Sequence, residues 1–168
     1  LRLEETASTG VQVQLIEVSR LHEHRIDPGV SMPGADDRDL IVNIDYAFGE
    51  QARHIIKNLL MLFGHNLASI NFLGKAGALT GSRGDVLAPN AFVGQSTDTF
   101  QPLPPPDPEA RQRLAARIPG HQVHTGPVLT VDGTLLQNRM MLRFYRQIWG
   151  CLGIEMEGIH YYLQLVEA

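Results

Sequence analysis

QVHTGPVLTV (residues 122–131), NRMMLRFYRQIWGCL (138–152), GIEMEG (153–158) and IHYYLQLV (159–166) follow one another with a single short gap. Their patterns decide the fold class. The first is an apolar, β-branched run, read as a strand over Gln122 to Val131. In the second, Met141, Phe144, Tyr145, Ile148, Trp149 and Leu152 recur at three- and four-residue spacing, which lines one face of a helix. After Gly153, Ile154 is a brief strand, and a last helix carries Ile159, Tyr162, Leu163 and Val166 on one face. Strand, helix, strand, helix in that order points to an α/β layered domain.

The same alternation extends towards the N-terminus. VQVQLIEV, Val11 to Val18, alternates apolar and polar residues like a half-buried strand. His22 to Asp39 holds two Pro-Gly pairs or near-pairs and reads as a loop. LIVNI, Leu40 to Ile44, is a short apolar strand expected to be buried on both faces. Over Gly49 to Phe63, Ala52, Ile55, Ile56, Leu59, Leu60 and Phe63 share a helix face, and Gly64 is the candidate C-cap. Ala68 to Leu73 reads as a strand running into Gly74-Lys75-Ala76-Gly77. Asp85 to Val93 is another strand, with Pro89 marking an edge or a bulge. Gly94 to Pro108 is polar and then proline-rich, hence a surface loop. Pro108 to Arg117 is a short charged helix with proline in its first turn.

Composition narrows the function. Hydrophobic residues are 43% and charged residues 19% of 168, an ordinary globular balance that suits one domain. With 14 Lys+Arg against 18 Asp+Glu the net charge is −4, which disfavours broad nucleic-acid binding. Cys151 is alone, so no internal disulfide or multi-cysteine zinc site exists. The seven histidines are scattered and no metal site is expected. No apolar run reaches the roughly 20 residues of a membrane helix, and the N-terminus lacks the apolar stretch of a signal peptide. A cytoplasmic location is expected, with no membrane partner.

Three segments could carry chemistry. Gly74 to Gly77 follows a strand, where glycines let a backbone approach a ligand; a tight turn without a ligand is the alternative. Glu155 and Glu157 in GIEMEG lie at a strand-to-helix junction, where the helix dipole favours carboxylates. One of them could accept bonds from two sugar hydroxyls, or both could simply cap the helix. Thr130-Val-Asp-Gly-Thr134 places Asp132 in an Asp-Gly turn after a strand.

LIVNI, the helix after Gly49, GKAGAL, GDVLAP, VLTVDGTL and GIEMEG, in that order, resemble the nucleoside phosphorylase superfamily. The likeness is nearest to the small bacterial 5′-methylthioadenosine/S-adenosylhomocysteine nucleosidases and covers Leu40 to Ala168. It implies a three-layer α/β/α sandwich with a mixed twisted sheet over a single domain, 1–168, incomplete at both ends as a portion of a longer protein. It implies cleavage of the N-glycosidic bond of a purine-type nucleoside by phosphate or water, without a cofactor, in a homo-oligomer. The alternative is a non-catalytic nucleoside- or nucleotide-sensing domain on the same fold. Position by position, Glu157 corresponds to the glutamate that grips the ribose hydroxyls and Met156 to the methionine under the ribose. Gly74, Ala76 and Gly77 correspond to the turn beside base and sugar, and Asp132 and Thr134 to the segment passing the base. Phe72 stands where phosphorylases often carry an arginine. Lys75 replaces the turn Ser or Thr and is the candidate phosphate ligand. Thr134 stands where an aromatic commonly packs on the base. The aspartate that protonates the leaving base has no counterpart and is expected beyond Ala168.

Overall fold

The computed structural model describes residues 2–3, 10–22, 26–27, 38–45, 47–97, 99–105, 107–133 and 138–167. Contacts divide the chain into two compact units, 1–47 and 48–168.

The first unit is a three-stranded antiparallel sheet in the order β1 (Arg2–Leu3), β2 (Val13–Glu17), β3 (Leu40–Ile44). Val13 faces Ile44 and Glu17 faces Leu40 across the β2–β3 ladder. The expected burial of LIVNI on both faces is not met: Leu40 and Ile41 are each 46% exposed. Among the described residues β3 pairs on one side only, with β2, which leaves the other side of the apolar run uncovered there. Most of the expected loop from His22 to Asp39 lies outside the described residues.

The second unit contains α1 (Gln51–Phe63), β4 (Gly77–Ala78), β5 (Val86–Gly94), β6 (Thr99–Pro102), α2 (Pro108–Arg117), β7 (Val123–Thr130), α3 (Arg139–Gln147), β8 (Gly153–Glu155) and α4 (Gly158–Glu167). Its sheet runs β4-β8-β7-β5-β6. The inner strands β8, β7 and β5 are parallel, and the outer β4 and β6 pair antiparallel, so the sheet is mixed.

Neighbouring residues on a strand point to opposite faces, and the core shows the result. Val93, Leu129 and Ile154 face α3, where they pack with Tyr145, Cys151 and Val131. Phe92 and Val128, one residue earlier on β5 and β7, pack on the other face with Ile159, Tyr162 and Leu163 of α4. The sheet therefore lies between two helical layers, which is the α/β/α arrangement. Cys151 belongs to this core, and burial pushes its thiol up to about 11.

Local chemistry explains the boundaries. The Asp107 side chain accepts the Glu109 N–H at 3.0 Å and caps α2, with Pro108 in the first turn. Asn138 caps α3 through the Met141 N–H at 2.8 Å. Helix α3 is shorter than its apolar period, because Gly150 adopts φ +67° and turns Cys151 N–H back onto the Tyr145 carbonyl. Gly64 ends α1 but stays right-handed, passing into a single 3₁₀ turn. Pro89 marks a bulge: the β5–β7 register shifts between Pro89 and Ala91.

Two expectations are corrected. Residues 68–73 are not a strand; only Gly77–Ala78 pairs, with β8. A strand requires a ladder partner for its N–H and C=O groups, and among the described residues 68–73 has none. Conversely, the stretch read as loop from Gly94 contains β6, paired to β5 from Ala91↔Pro102 to Gly94↔Thr99. The Tyr162 hydroxyl donates to the Pro102 carbonyl at 2.8 Å and ties this strand to α4.

At the amino ends of β5 and β7, Asp85 accepts N–H groups from Ser82 and Gln122 and the His124 Nε2–H. These donors, Gln122 first, hold its carboxyl well below the usual range. The aspartate of GDVLAP thus fastens a turn at the end of the sheet opposite the segments discussed next.

Candidate functional site

Parallel strands end on one edge of a sheet, and the residues following them meet there. Gln95 N–H donates to the Thr130 carbonyl at 3.0 Å, and Val131 N–H to the Glu155 carbonyl at 2.8 Å. These bonds bring Gln95 and Ser96 after β5, Asp132 after β7, and Met156 and Glu157 after β8 to the same edge.

The two glutamates of GIEMEG have different tasks. Glu155 is the last residue of β8 and is partly buried. Its Oε2 accepts the N–H groups of Glu157 at 2.7 Å and Gly158 at 2.5 Å, and its Oε1 accepts the Thr130 hydroxyl. Thr130 Oγ1 in turn accepts the Ile159 N–H at 3.1 Å. Glu155 and Thr130 therefore satisfy the opening N–H groups of α4, which no intrahelical carbonyl can reach. Burial is the largest effect on Glu155 and raises its carboxyl above the usual range against these donors.

Glu157 is half-buried with its carboxylate at the opening of α4. Its Oε1 accepts the Gly49 N–H at 3.0 Å and its Oε2 the Met156 N–H at 3.3 Å. Each oxygen keeps a further lone pair for a ligand donor. Gly49 takes φ +49° in the turn that opens α1, a left-handed conformation that favours glycine. Met156 is partly buried and packs against the α3-side core.

The glycine turn reaches the same segment. Gly77 pairs with Ile154 and Ala78 with Gly153, so GKAG leads onto β8 beside GIEMEG. Gly74, Lys75, Ala76 and Gly77 are exposed. At Gly153 a Cβ would lie 2.4 Å from Leu87 Cδ1 and 3.1 Å from the Gly77 carbonyl oxygen, so a side chain there would displace Leu87 and crowd β4. At Gly158 a Cβ would lie 2.3 Å from Cε1 of the buried Phe92 ring, which a side chain there would have to push aside. Asp132 is exposed and accepts the Ser96 hydroxyl at 3.2 Å. Thr134 lies outside the described residues.

On α4, Tyr161 lies one turn beyond Glu157, and its N–H donates to the Glu157 carbonyl at 3.2 Å. Burial, then the charges of Glu157 and Glu155, push its phenol above the usual range. Phe72 stacks on the Tyr161 ring with centroids 4.2 Å apart and planes 13° from parallel. The structure thus joins Gly77, Met156 and Glu157 at one segment and holds Asp132 through Ser96. Sequence reasoning overlooked Gly49, Ser96 and Tyr161. The glycine before the α1 pattern and the i,i+4 spacing of Glu157 and Tyr161 were the available signals.

Among the described residues no group of three or more His, Cys, Asp or Glu is arranged to hold a metal ion. No helix in them is long and apolar enough to cross a membrane.

Solved structures with this fold include a candidate 5′-methylthioadenosine/S-adenosylhomocysteine nucleosidase from Francisella philomiragia. It is 17% identical with a TM-score of 0.66, and the match covers 99% of this chain and 70% of that one. A Helicobacter pylori nucleosidase mutant with 5′-methylthioadenosine in its active site is 15% identical with a TM-score of 0.64, covering 98% and 69%. A futalosine hydrolase mutant from the same species is 16% identical with a TM-score of 0.59, covering 77% and 66%. The chain has the nucleoside phosphorylase/nucleosidase fold and spans about two thirds of the length of these neighbours. No curated protein matches it. A family model described as "Family of unknown function (DUF6909)" matches residues 1–168, and the chain belongs to that family.

Proposed function

We propose that this chain binds a purine-type nucleoside through Glu157 and serves cleavage of its N-glycosidic bond. One observation carries the reading: Glu157 is fixed by the Gly49 and Met156 N–H groups at the carboxyl edge of the parallel strands, with lone pairs left for sugar hydroxyls. The transition state of glycosidic cleavage is oxocarbenium-like, so a held carboxylate beside the ribose both orients the sugar and stabilises developing positive charge. Met156 lies under the ribose, Gly74, Ala76 and Gly77 flank base and sugar, and Asp132, held by Ser96, passes the base.

The acceptor in this reading is water. Asp132, Glu155 and Glu157 crowd one edge with acidic groups, and Phe72 contributes an aromatic ring where a cation would hold phosphate. Lys75, in the exposed turn, is the residue for phosphate to use.

Calorimetry with adenosine and 5′-methylthioadenosine, together with release of free base, tests the reading. Nucleoside binding is the expected outcome, since no described residue at this edge is assigned to protonate the leaving base, and any base release should not be accelerated by inorganic phosphate. Acceleration that Lys75→Ala abolishes would make phosphate the acceptor and Lys75 its ligand. Binding without base release assigns the chain the nucleoside-sensing role, and absence of binding refutes the proposal.

A further inference from the structure

We infer that Gly49 is the positioning residue of the Glu157 carboxylate: its left-handed backbone lets one turn open α1 and present an N–H to Glu157 at the same time. The inference rests on the nucleoside reading above and adds a residue that acts on the sugar without touching it. The Gly49 N–H reaches Glu157 Oε1 at 3.0 Å across a sequence separation of 108 residues. The other carboxylate oxygen takes the N–H of Met156, the residue directly before Glu157. That local bond travels with Glu157 and cannot fix its place. Of the two bonds, the one from Gly49 ties the carboxylate to another element.

The turn that aims this N–H is itself anchored. The Phe48 carbonyl accepts the Gln51 N–H at 3.0 Å, and the Gly49 carbonyl accepts the Ala52 N–H at 3.1 Å. Ala52 and Ile56 are buried, and α1 packs along α4, where Arg53 pairs with Glu167 at 3.6 Å. Helix α1 thus sets the direction of the Gly49 N–H, and it does so with Gly49 at φ +49°. A Cβ at this position would meet only the Met156 carbonyl oxygen, at 3.8 Å, an ordinary contact. Space does not call for glycine here; the backbone angle does. Alanine relieves its strain by reorienting the peptide between residues 48 and 49, which carries the N–H that Glu157 accepts. Asparagine tolerates the left-handed region and keeps that peptide in place.

The test is calorimetric titration of adenosine and 2′,3′-dideoxyadenosine into the wild-type chain, Gly49→Ala, Gly49→Asn and Glu157→Gln. The dideoxy compound lacks the hydroxyls that Glu157 would hold, so the preference for adenosine over it reads the grip on the sugar alone. Gly49→Ala should reduce that preference roughly 3- to 10-fold, the scale of one hydrogen bond, and leave dideoxyadenosine affinity unchanged. Gly49→Asn should keep the preference within about twofold of wild type. A role confined to folding would instead lower the unfolding midpoint of Gly49→Ala and weaken both compounds alike. That outcome, an unaltered preference in Gly49→Ala, or an equal loss in Gly49→Asn overturns the inference. If Glu157→Gln reduces the preference while Gly49→Ala does not, only the Gly49 assignment falls. If the wild-type chain binds neither compound, or both equally, the ribose role of Glu157 falls and the Gly49 assignment with it.

Discussion

Replacing Glu157 by glutamine should weaken adenosine binding by about 1–3 kcal/mol, roughly 5- to 150-fold, with little change in stability. Glutamine has the same shape, and its carbonyl oxygen can still accept the Gly49 N–H that glutamate accepts at 3.0 Å. The fold around the opening of α4 is therefore retained. What disappears is the negative charge and one of two acceptor oxygens. Hydrogen bonds from sugar hydroxyls to a carboxylate are roughly twice as strong as those to a neutral amide. In base-release assays the loss in kcat/KM should be at least as large, since the charge also faces the developing oxocarbenium. Calorimetry checks the first part and initial rates the second. Equal affinity of the two proteins would remove Glu157 from the ribose site.

The order of strands and helices was legible because each element advertises a period. Phe92–Val93 and Val128–Leu129 supply apolar neighbours for both faces of the sheet, and a strand buried on both faces is an unbroken apolar run. What a single segment cannot display is its partner. Residues 68–73 look like a strand but pair with none among the described residues, while β6 hides in a proline-rich stretch because β5 supplies its ladder. The α3 period includes Phe144 and Ile148, yet these are 49% and 70% exposed; Tyr145, Met141 and Trp149 reach the sheet instead. The site was legible to the same depth. GIEMEG and the glycine turn do lie together, as their order suggested. The division between Glu155 and Glu157 was not readable, because Thr130, on another strand, decides which carboxylate caps α4.

That division leads to a large effect on stability. Glu155→Ala should cost about 2–3 kcal/mol, because it leaves the N–H groups of Glu157 and Gly158 and the Thr130 hydroxyl without their acceptor. Glu155→Gln should cost about 1 kcal/mol or less, because its carbonyl can cap α4 and the Thr130 hydroxyl can rotate to accept from its amide. The two variants also separate geometry from charge. Burial raises the Glu155 carboxyl above its unfolded value, so over the pH range between the two the folded chain holds a proton that the unfolded chain has released. Below that range both states are protonated and the group contributes no pH dependence. As pH rises through it, the folded state must ionise a buried acid, and this contribution to stability declines. Urea unfolding of wild type and Glu155→Gln from pH 4 to 8 measures the difference. The stability of the glutamine variant relative to wild type should improve as pH rises from the ordinary carboxylate range, whereas parallel curves would show that Glu155 ionises in the folded chain as freely as in the unfolded one.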